Sequence, residues 1–421
     1  MGFADHYLAK HYQNSVTVSS PPDNDLRIIV IIPAYNESEL TATLESLLRC
    51  KIPDGKTEVL ILINWPENAP EDIKQKGEQS FHSLLAWTAA GTSCAVAFHP
   101  MLYADMPSKH AGVGLARKTL MDEAVRRFNI TGNPAGIIVS LDADAVCRDN
   151  YLTEIESHFN NRPTADGCVI YFEHPLQGTK FPPSIYQAIC LYELHLRYYL
   201  QSIRSTGFPN AFHTVGSAFA VRADAYCRQG GMNKRKAGED FYFLQKFFEL
   251  GNFTELNSTS VYPSPRPSDR VPFGTGPVMK KYETGKTEDF LTYNPELFTI
   301  LTRFFKKIPD FFSGEETVVA PYILQNAPLC LTEFLEKENF YVTIREIKAN
   351  SASPVSFLKR FYRWFNMFRI LKFLNTGKKY YEDLPVNLAA AILLNKSGII
   401  NTSEDDPYKL LELFREWERN R

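Results

Sequence analysis

An apolar strand followed by an amphipathic helix recurs along residues 27–141, and no other feature narrows the fold of this chain so far. The first strand is Arg27–Pro33 (Arg-Ile-Ile-Val-Ile-Ile-Pro). A turn, Ala34-Tyr35-Asn36-Glu37, follows, and after Ser38 a helical pattern puts Leu40, Leu44, Leu47 and Leu48 on one face. Glu58–Ile63 reads as a second strand, ended by Asn64-Trp65-Pro66, with a helix over 71–89. Ser93–Phe98 is a third strand; a loop holding Pro107, Ser108, Lys109 and His110 leads to a helix near 112–128. The central strand lies in Gly136–Leu141, rich in β-branched residues, and ends in Asp142-Ala143-Asp144. Such alternation predicts an α/β fold, a mainly parallel doubly wound sheet with helices on both faces. Ligands of these sheets bind beyond the carboxyl ends of the strands. Asn36/Glu37, Asn64 and Asp142/Asp144 all fall there.

Side chains at i and i+2 of an extended segment point to one side. Asp142 and Asp144 would therefore repel each other unless a cation lay between them. A hard divalent cation, Mg²⁺ or Mn²⁺, takes carboxylate oxygens and brings substrate phosphates as further ligands. Taken alone, Asp-x-Asp is common, and a solvated turn with one Asp capping the next helix is the better reading of it. Three polar clusters on one sheet edge argue for the site.

Farther along, 151–159 reads as a helix, 167–172 as a strand, and 183–204 as a long helix carrying Glu193, His195 and Arg197. A strand is expected over 213–221, then Gly230-Gly231, a basic stretch at Lys234-Arg235-Lys236, and Glu239-Asp240 opening an aromatic helix. Acidic residues in a first helical turn also simply complement the helix dipole. Residues 261–276 are rich in Pro and Gly and hold Arg266 and Arg270; a long loop in a compact domain is more often functional than idle. The expected division is a weakly structured lead-in over 1–26, an α/β domain over 27–276 and a mostly helical region over 277–421. In the last, Phe361, Trp364, Phe365 and Phe368 share a helical face, interleaved with Arg360, Arg363, Arg369 and Lys372. A core-facing helix is the favoured reading; peripheral contact of 360–374 with an anionic membrane surface is the other.

Composition removes several classes. A net charge of −2 over 421 residues makes no case for nucleic-acid binding. The seven cysteines are scattered without metal-type spacing, which reads as reduced thiols in a cytosolic protein. No Walker-type phosphate loop occurs, and Gly112-x-Gly114-x-x-Arg117 lacks the third glycine of a dinucleotide fingerprint. Residues 1–14 carry no signal-peptide apolar region, and the stretch that comes closest to membrane-spanning length, Val386–Leu394, is too short. The expected location is the cytoplasm, with room for a peripheral place at the inner face of the membrane.

Four motifs, in order, resemble those of the family 2 glycosyltransferases, enzymes of the GT-A fold. They are Ile31-Ile32-Pro33-Ala34-Tyr35-Asn36-Glu37; Gly114-Leu115-Ala116-Arg117-Lys118, with Lys where Asn is usual; Leu141-Asp142-Ala143-Asp144, similar to the DXD motif; and Gly230-Gly231 with Gly238-Glu239-Asp240-Phe241. Gly216-Ser217-Ala218-Phe219-Ala220-Val221-Arg222 also fits. The resemblance covers about 27–262. It implies a nucleotide-binding half over 27–144 and an acceptor half over 145–276. It further implies a nucleotide-sugar donor (a UDP- or GDP-sugar), Mg²⁺ or Mn²⁺, and a glycan or lipid-linked glycan as acceptor, as in polysaccharide biosynthesis. Asp144 would ligate the metal; Asp142 would contact ribose or metal-bound water. Pro33, Ala34, Tyr35 and Glu37 would line the nucleoside, with Arg117 and Lys118 near base or phosphates. Asp240 would be the general base and Glu239 its fallback.

The sequence departs from that family in two places. Asn64 stands where an Asp usually reads the nucleobase, and no histidine matches the common third metal ligand. Arg266, Ser268 and Arg270 occupy that region, and the two arginines are expected to clamp the diphosphate. His195 and His213 are expected to be structural rather than acceptor-facing. An inverting transferase is the leading expectation. A retaining transferase, a nucleotidyltransferase or a non-catalytic domain that binds sugar nucleotide or glycan are the alternatives.

Overall fold

The computed structural model describes residues 2–12, 16–90, 96–270, 274–283, 290–314, 327–401 and 404–421. They form two compact units that interleave along the chain, in place of a single division after residue 276. One comprises Met1–Tyr186, Thr214–Glu283 and Glu418–Arg421; the other comprises Gln187–His213 and Thr284–Trp417.

The first unit is built on an eight-stranded sheet in the order β3-β2-β1-β4-β7-β6-β8-β5. The strands are β1 (Leu26–Ala34), β2 (Lys56–Pro66), β3 (Val96–Met106), β4 (Ile137–Ser140), β5 (Val146–Cys147), β6 (Gly167–Phe172), β7 (Phe219–Arg222) and β8 (Phe253–Tyr262). Residues 93–95 of the expected third strand, and 271–273 of the Pro/Gly-rich segment, lie outside the described residues. β1 runs parallel to β2 and β4, β2 to β3, and β6 to β8; β7 is antiparallel to both β4 and β6. Ile28 to Ile32 in β1 are fully buried, as expected of a parallel strand covered on both faces.

A short helix, α1 (Asp5–His11), precedes β1. From β1 the chain steps outward through α2 (Leu40–Leu48) to β2 and through α3 (Glu71–Ala89) to β3. It returns through α4 (Val113–Ile130) to lay β4 on the other side of β1. Right-handed crossovers then put α4 on the face opposite α2 and α3. The strand order reverses between β1 and β4. A crevice for ligand opens at the carboxyl ends of strands where such a reversal occurs. Farther on come α5 (Tyr151–Asn161), the start of α6 (Pro183–Ser205), α7 (Ala223–Arg228), α8 (Glu239–Phe248) and α9 (Thr275–Glu283).

Two expectations are corrected in this unit. The described part of 1–26 is not a loose lead-in: α1 buries its Tyr7, which donates its hydroxyl to Asp122 Oδ1 at 2.8 Å. The strand expected over 213–221 is confined to Phe219–Arg222. Its partner β4 offers only four residues, from Ile137 opposite Arg222 to Ser140 opposite Phe219. Upstream, Gly216 presents its carbonyl to the Ser140 hydroxyl at 2.7 Å.

The second unit is helical, as expected for the C-terminal region. After the carboxyl part of α6 come α10 (Pro295–Lys307), Leu329–Lys337, Phe340–Ala349, Pro354–Trp364, Met367–Gly377 and Val386–Lys396, with a two-stranded antiparallel ribbon of Leu291–Thr292 and Leu384–Pro385. Glu193, fully buried, accepts from Arg197 Nε and from both Nε and Nη2 of Arg415, each at 2.8 Å. Phe361 and Phe365 are fully buried against Phe304 and Phe305. Two of the four aromatic residues considered for membrane contact are therefore spent on the core, while Trp364 and Phe368 are half-buried. The helix also breaks there: it ends at Trp364, and the Asn366 side chain caps the next one by accepting from the Arg369 N–H. Among the described residues no helix is long and apolar enough to cross a membrane.

Candidate active site

The ends of β1 and β4 set the site. After β1 the chain turns through Asn36, which adopts a left-handed φ of 47°. Non-glycine residues rarely hold such a conformation outside tight turns and functional sites. After β4, Leu141 N–H still bonds Ile31 O, and Ala145 N–H closes a turn onto Asp142 O. Thr43 Oγ1 donates to Ala143 O at 2.9 Å. Ala143 and Ala145 are buried, while the Asp142 and Asp144 side chains stay 35% and 25% exposed.

Arg117, near the start of α4, is buried and joins two parts of the site. One terminal nitrogen pairs with Asp142 Oδ1 and the other with Glu239 Oε1. Its Nε is buried without a hydrogen-bond partner. The space for this guanidinium comes from Gly216, where a Cβ would stand 2.5 Å from Arg117 Nη2. Glu239 and Asp240 open α8 after Gly238, which sits at φ 66°. Asn233 Nδ2 holds the Glu239 carbonyl at 2.8 Å, and Asp240 Oδ1 accepts from the Phe241 N–H at 2.7 Å. In the sequence Gly216 stands out only as part of a motif, and Asn233 does not stand out at all. Neither carries a sequence signal of its role, since that depends on where Arg117 and α8 come to lie.

Arg266 and Arg270 close the other side. Arg266 Nη2 donates to Glu37 Oε2 at 2.7 Å and to Asp144 Oδ2 at 3.1 Å. Arg270 Nη1 donates to the Tyr35 carbonyl at 2.7 Å and to Glu37 Oε2 at 3.1 Å; its Nη2 lies 3.9 Å from Asp144 Oδ2. Glu37, expected to line the nucleoside, is thus occupied with two arginines, its side chain only 3% exposed.

Five carboxylates (Glu37, Asp142, Asp144, Glu239, Asp240) meet three guanidinium groups here, leaving two negative charges uncompensated if all are ionised. The electrostatics register the excess. Burial, with the Asp142 and Glu37 charges, raises Asp144 to about 7, against the pull of Arg266. Burial raises Glu239 to about 7, with Arg117 opposing and Asp240 adding. Asp240 is raised as well, by burial first, with Arg117 and the Phe241 N–H opposing and Asp142 adding. Burial would loosen the Arg117 proton, but Asp142, Glu239 and Asp240 more than offset this. Such a set suits an added cation. Asp142 and Asp144 supply the hard oxygen donors that Mg²⁺ or Mn²⁺ takes, with phosphate oxygens to complete its shell. Among the described residues no cluster of three or more His, Cys, Asp or Glu side chains could hold a metal by itself, so any such ion would fill the rest of its shell with water or phosphate oxygens.

Other expected residues do not join the cluster. Asn64 is buried, and its amide donates to the carbonyls of Ala34 and Leu62 at 3.1 and 3.2 Å. That is a backbone-supporting role, although it fixes the end of β1. Lys118 follows Arg117 in sequence, but neighbours in a helix do not share a face. Its ammonium pairs with Asp122 Oδ2 at 2.8 Å and approaches Tyr7 Oη at 3.3 Å. Pro33 and Ala34 are the last residues of β1, with Tyr35 following half-buried. His195, in the second unit, bonds Thr292 Oγ1 at 2.8 Å and is pushed down to about 4 by burial, a structural histidine.

No family model matches the chain, and no curated protein matches its sequence. Among solved structures it is similar to residues 1–349 of S. aureus TarS in complex with UDP-GlcNAc, at 14% identity and a TM-score of 0.40, covering 84% of this chain and 91% of that one. The complex of the same protein with UDP gives 13% identity and 0.38, covering 84% and 92%. The likeness is too weak to carry a function over to this chain.

Proposed function

We propose that this chain is a glycosyltransferase that moves a sugar from a nucleotide-sugar donor to a hydroxyl of a glycan or lipid-linked glycan, with inversion and with the help of a divalent cation. The supporting observation is the Arg117 bridge, which places Asp142, beside Asp144, and the Glu239–Asp240 pair around one crevice at the strand-order reversal.

The nucleoside would lie over Pro33, Ala34 and Tyr35, its diphosphate toward Asp142 and Asp144. As the sugar–phosphate bond breaks, charge grows on the diphosphate, and cationic groups aimed at it lower the barrier. Arg266 and Arg270, beside Asp144, would supply such groups. Held by Asp144 and Asp142, Mg²⁺ or Mn²⁺ would supply further charge stabilisation there. Asp240 would take the proton of the acceptor hydroxyl as its oxygen attacks the anomeric carbon. Its raised pKa makes it a stronger base than an ordinary aspartate. Glu239, committed to Arg117, would position the pair.

The test is thermal unfolding with UDP-, GDP- and dTDP-sugars, with and without Mn²⁺, on the wild type and Asp144→Ala. Binding to the native state raises apparent stability by mass action. A Mn²⁺-dependent rise for one donor class, lost in Asp144→Ala, is expected. No rise with any donor would overturn the reading. Anomeric configuration of the product distinguishes inversion from retention.

A further inference from the structure

The Arg266 guanidinium stands between Glu37 Oε2 and Asp144 Oδ2, and Arg270 lies over the same two carboxylates. A bridging cation would take that place, and Asp144 is the carboxylate the proposed cation most needs. We propose that Arg266 and Arg270 are internal counter-ions that a divalent cation displaces from Asp144, and that the displaced guanidinium groups then receive the donor's diphosphate. This rests on the function proposed above and adds to it an order of events: cation and arginine compete, whereas arginine and diphosphate cooperate.

Three observations carry it. First, one Asp144 oxygen cannot keep two guanidinium groups and also coordinate a cation at close range without like charges meeting. Second, Arg266 is not saturated where it stands. Its Nε is buried with no hydrogen-bond partner, although a guanidinium has five N–H donors and prefers planar, paired acceptors. A phosphate offers acceptors of that kind. Third, the backbone that carries Arg266 is stiff. Arg266 lies between Pro265 and Pro267, whose rings fix their own φ and restrict the residue before each. The backbone thus keeps the side chain beside the crevice while its long stem turns. Glu37 is the pivot: buried and shared by both arginines, it keeps them at the crevice when Asp144 is taken.

The consequence is an unusual pair of signs. Removing the charge at 266 should tighten the cation and loosen the diphosphate. An arginine that only bound phosphate would leave the affinity for cation alone unchanged. One that only neutralised Asp144 would leave the affinity for diphosphate unchanged or improved.

The experiment measures Mn²⁺ binding to the full chain by electron paramagnetic resonance without any nucleotide, then inorganic pyrophosphate binding at saturating Mn²⁺ by calorimetry. Both are done on the wild type, Arg266→Gln, Arg266→Lys and Arg270→Gln. Arg266→Gln is expected to bind Mn²⁺ several-fold more tightly and pyrophosphate about tenfold more weakly, the loss of a charge-assisted hydrogen bond. Arg266→Lys should recover most of both, and Arg270→Gln should follow with smaller changes. Circular dichroism confirms that each variant is folded. Unchanged Mn²⁺ affinity in both glutamine variants overturns the competition, and unchanged pyrophosphate affinity overturns the transfer. If the wild type binds neither Mn²⁺ nor any of UDP, GDP and dTDP, the functional reading itself fails, a result distinct from either.

Discussion

At the ends of β1 and β4, five carboxylates and three guanidinium groups crowd one crevice; in the helical unit, Phe304, Phe305, Phe361 and Phe365 meet ring to ring. The two regions bury side chains for opposite reasons. The helical core gains from each buried aromatic area, and a deeply buried charge there, Glu193, is matched by two arginines. The crevice keeps carboxylates near one another against their repulsion, because the β1 and β4 termini and the start of α8 point them there. A core is finished when its groups satisfy one another. A binding site is left unfinished until its ligand arrives.

The largest effect expected from breaking this contrast is chemical. Asp240→Asn should lower kcat by about 10²–10⁴-fold with donor affinity kept, as removal of a general base does; steady-state kinetics with a fall below tenfold would return the role to Glu239. In the helical unit Phe361→Ala should cost about 3–5 kcal/mol in denaturant unfolding, since it deletes a fully buried ring. A loss below about 1 kcal/mol would mean that the ring cluster contributes little. Gly216→Ala joins the two kinds of effect, because it drives a methyl into Arg117. Overpacking of about 1–3 kcal/mol is expected together with reduced turnover. If stability drops and turnover does not, the Arg117 bridge is structural only.

Acid should probe both units at once. Burial, with Arg162 adding, pushes His158 of the sheet unit down to about 4, and burial, with Lys378 adding, does the same to His195 of the helical unit. The folded chain keeps both neutral while the unfolded chain protonates them near 6.5. Their contribution is intact above about pH 6.5 and is lost as pH falls toward about 4. Replacing either with Gln should flatten the unfolding midpoint over that window; an unchanged slope would show that other groups set it. The smallest effect is at Asn64. Asn64→Ala should cost about 1 kcal/mol through its two lost hydrogen bonds, without changing which nucleotide raises the unfolding temperature. A changed preference would restore Asn64 to base recognition.

Much of this was legible in the sequence where local pattern decides. The alternation of strand and helix, the start of α3 at Glu71, the span of β6 and the acidic turn after β4 all follow from periodicity and punctuation. What escaped depends on side chains meeting across the fold. Lys118 and Arg117 look alike in a motif, but a turn of about 100° per helical residue sends one to Asp122 and the other to Asp142. The apolar face around Phe361 could not show by itself what would cover it. β7 stops short because β4 does, a constraint on one strand written in another. The two arginines of the Pro-rich segment were visible, but their anchor, Glu37, lies more than two hundred residues away.

Tyr7 also lies against Gly231. Gly231 adopts φ 74°, and a Cβ there would collide with the Tyr7 hydroxyl. The first helix and Gly231 therefore form a matched set, although they are far apart in the chain. Among descendants of a common ancestor, a chain that keeps the aromatic hydroxyl at position 7 should keep the glycine at 231; loss of the hydroxyl removes that collision, while the positive φ continues to favour glycine. Aligned relatives would record this as a one-way dependence: a side chain at 231 should occur only where position 7 has lost its hydroxyl, an evolutionary trace of a contact that neither position reveals alone.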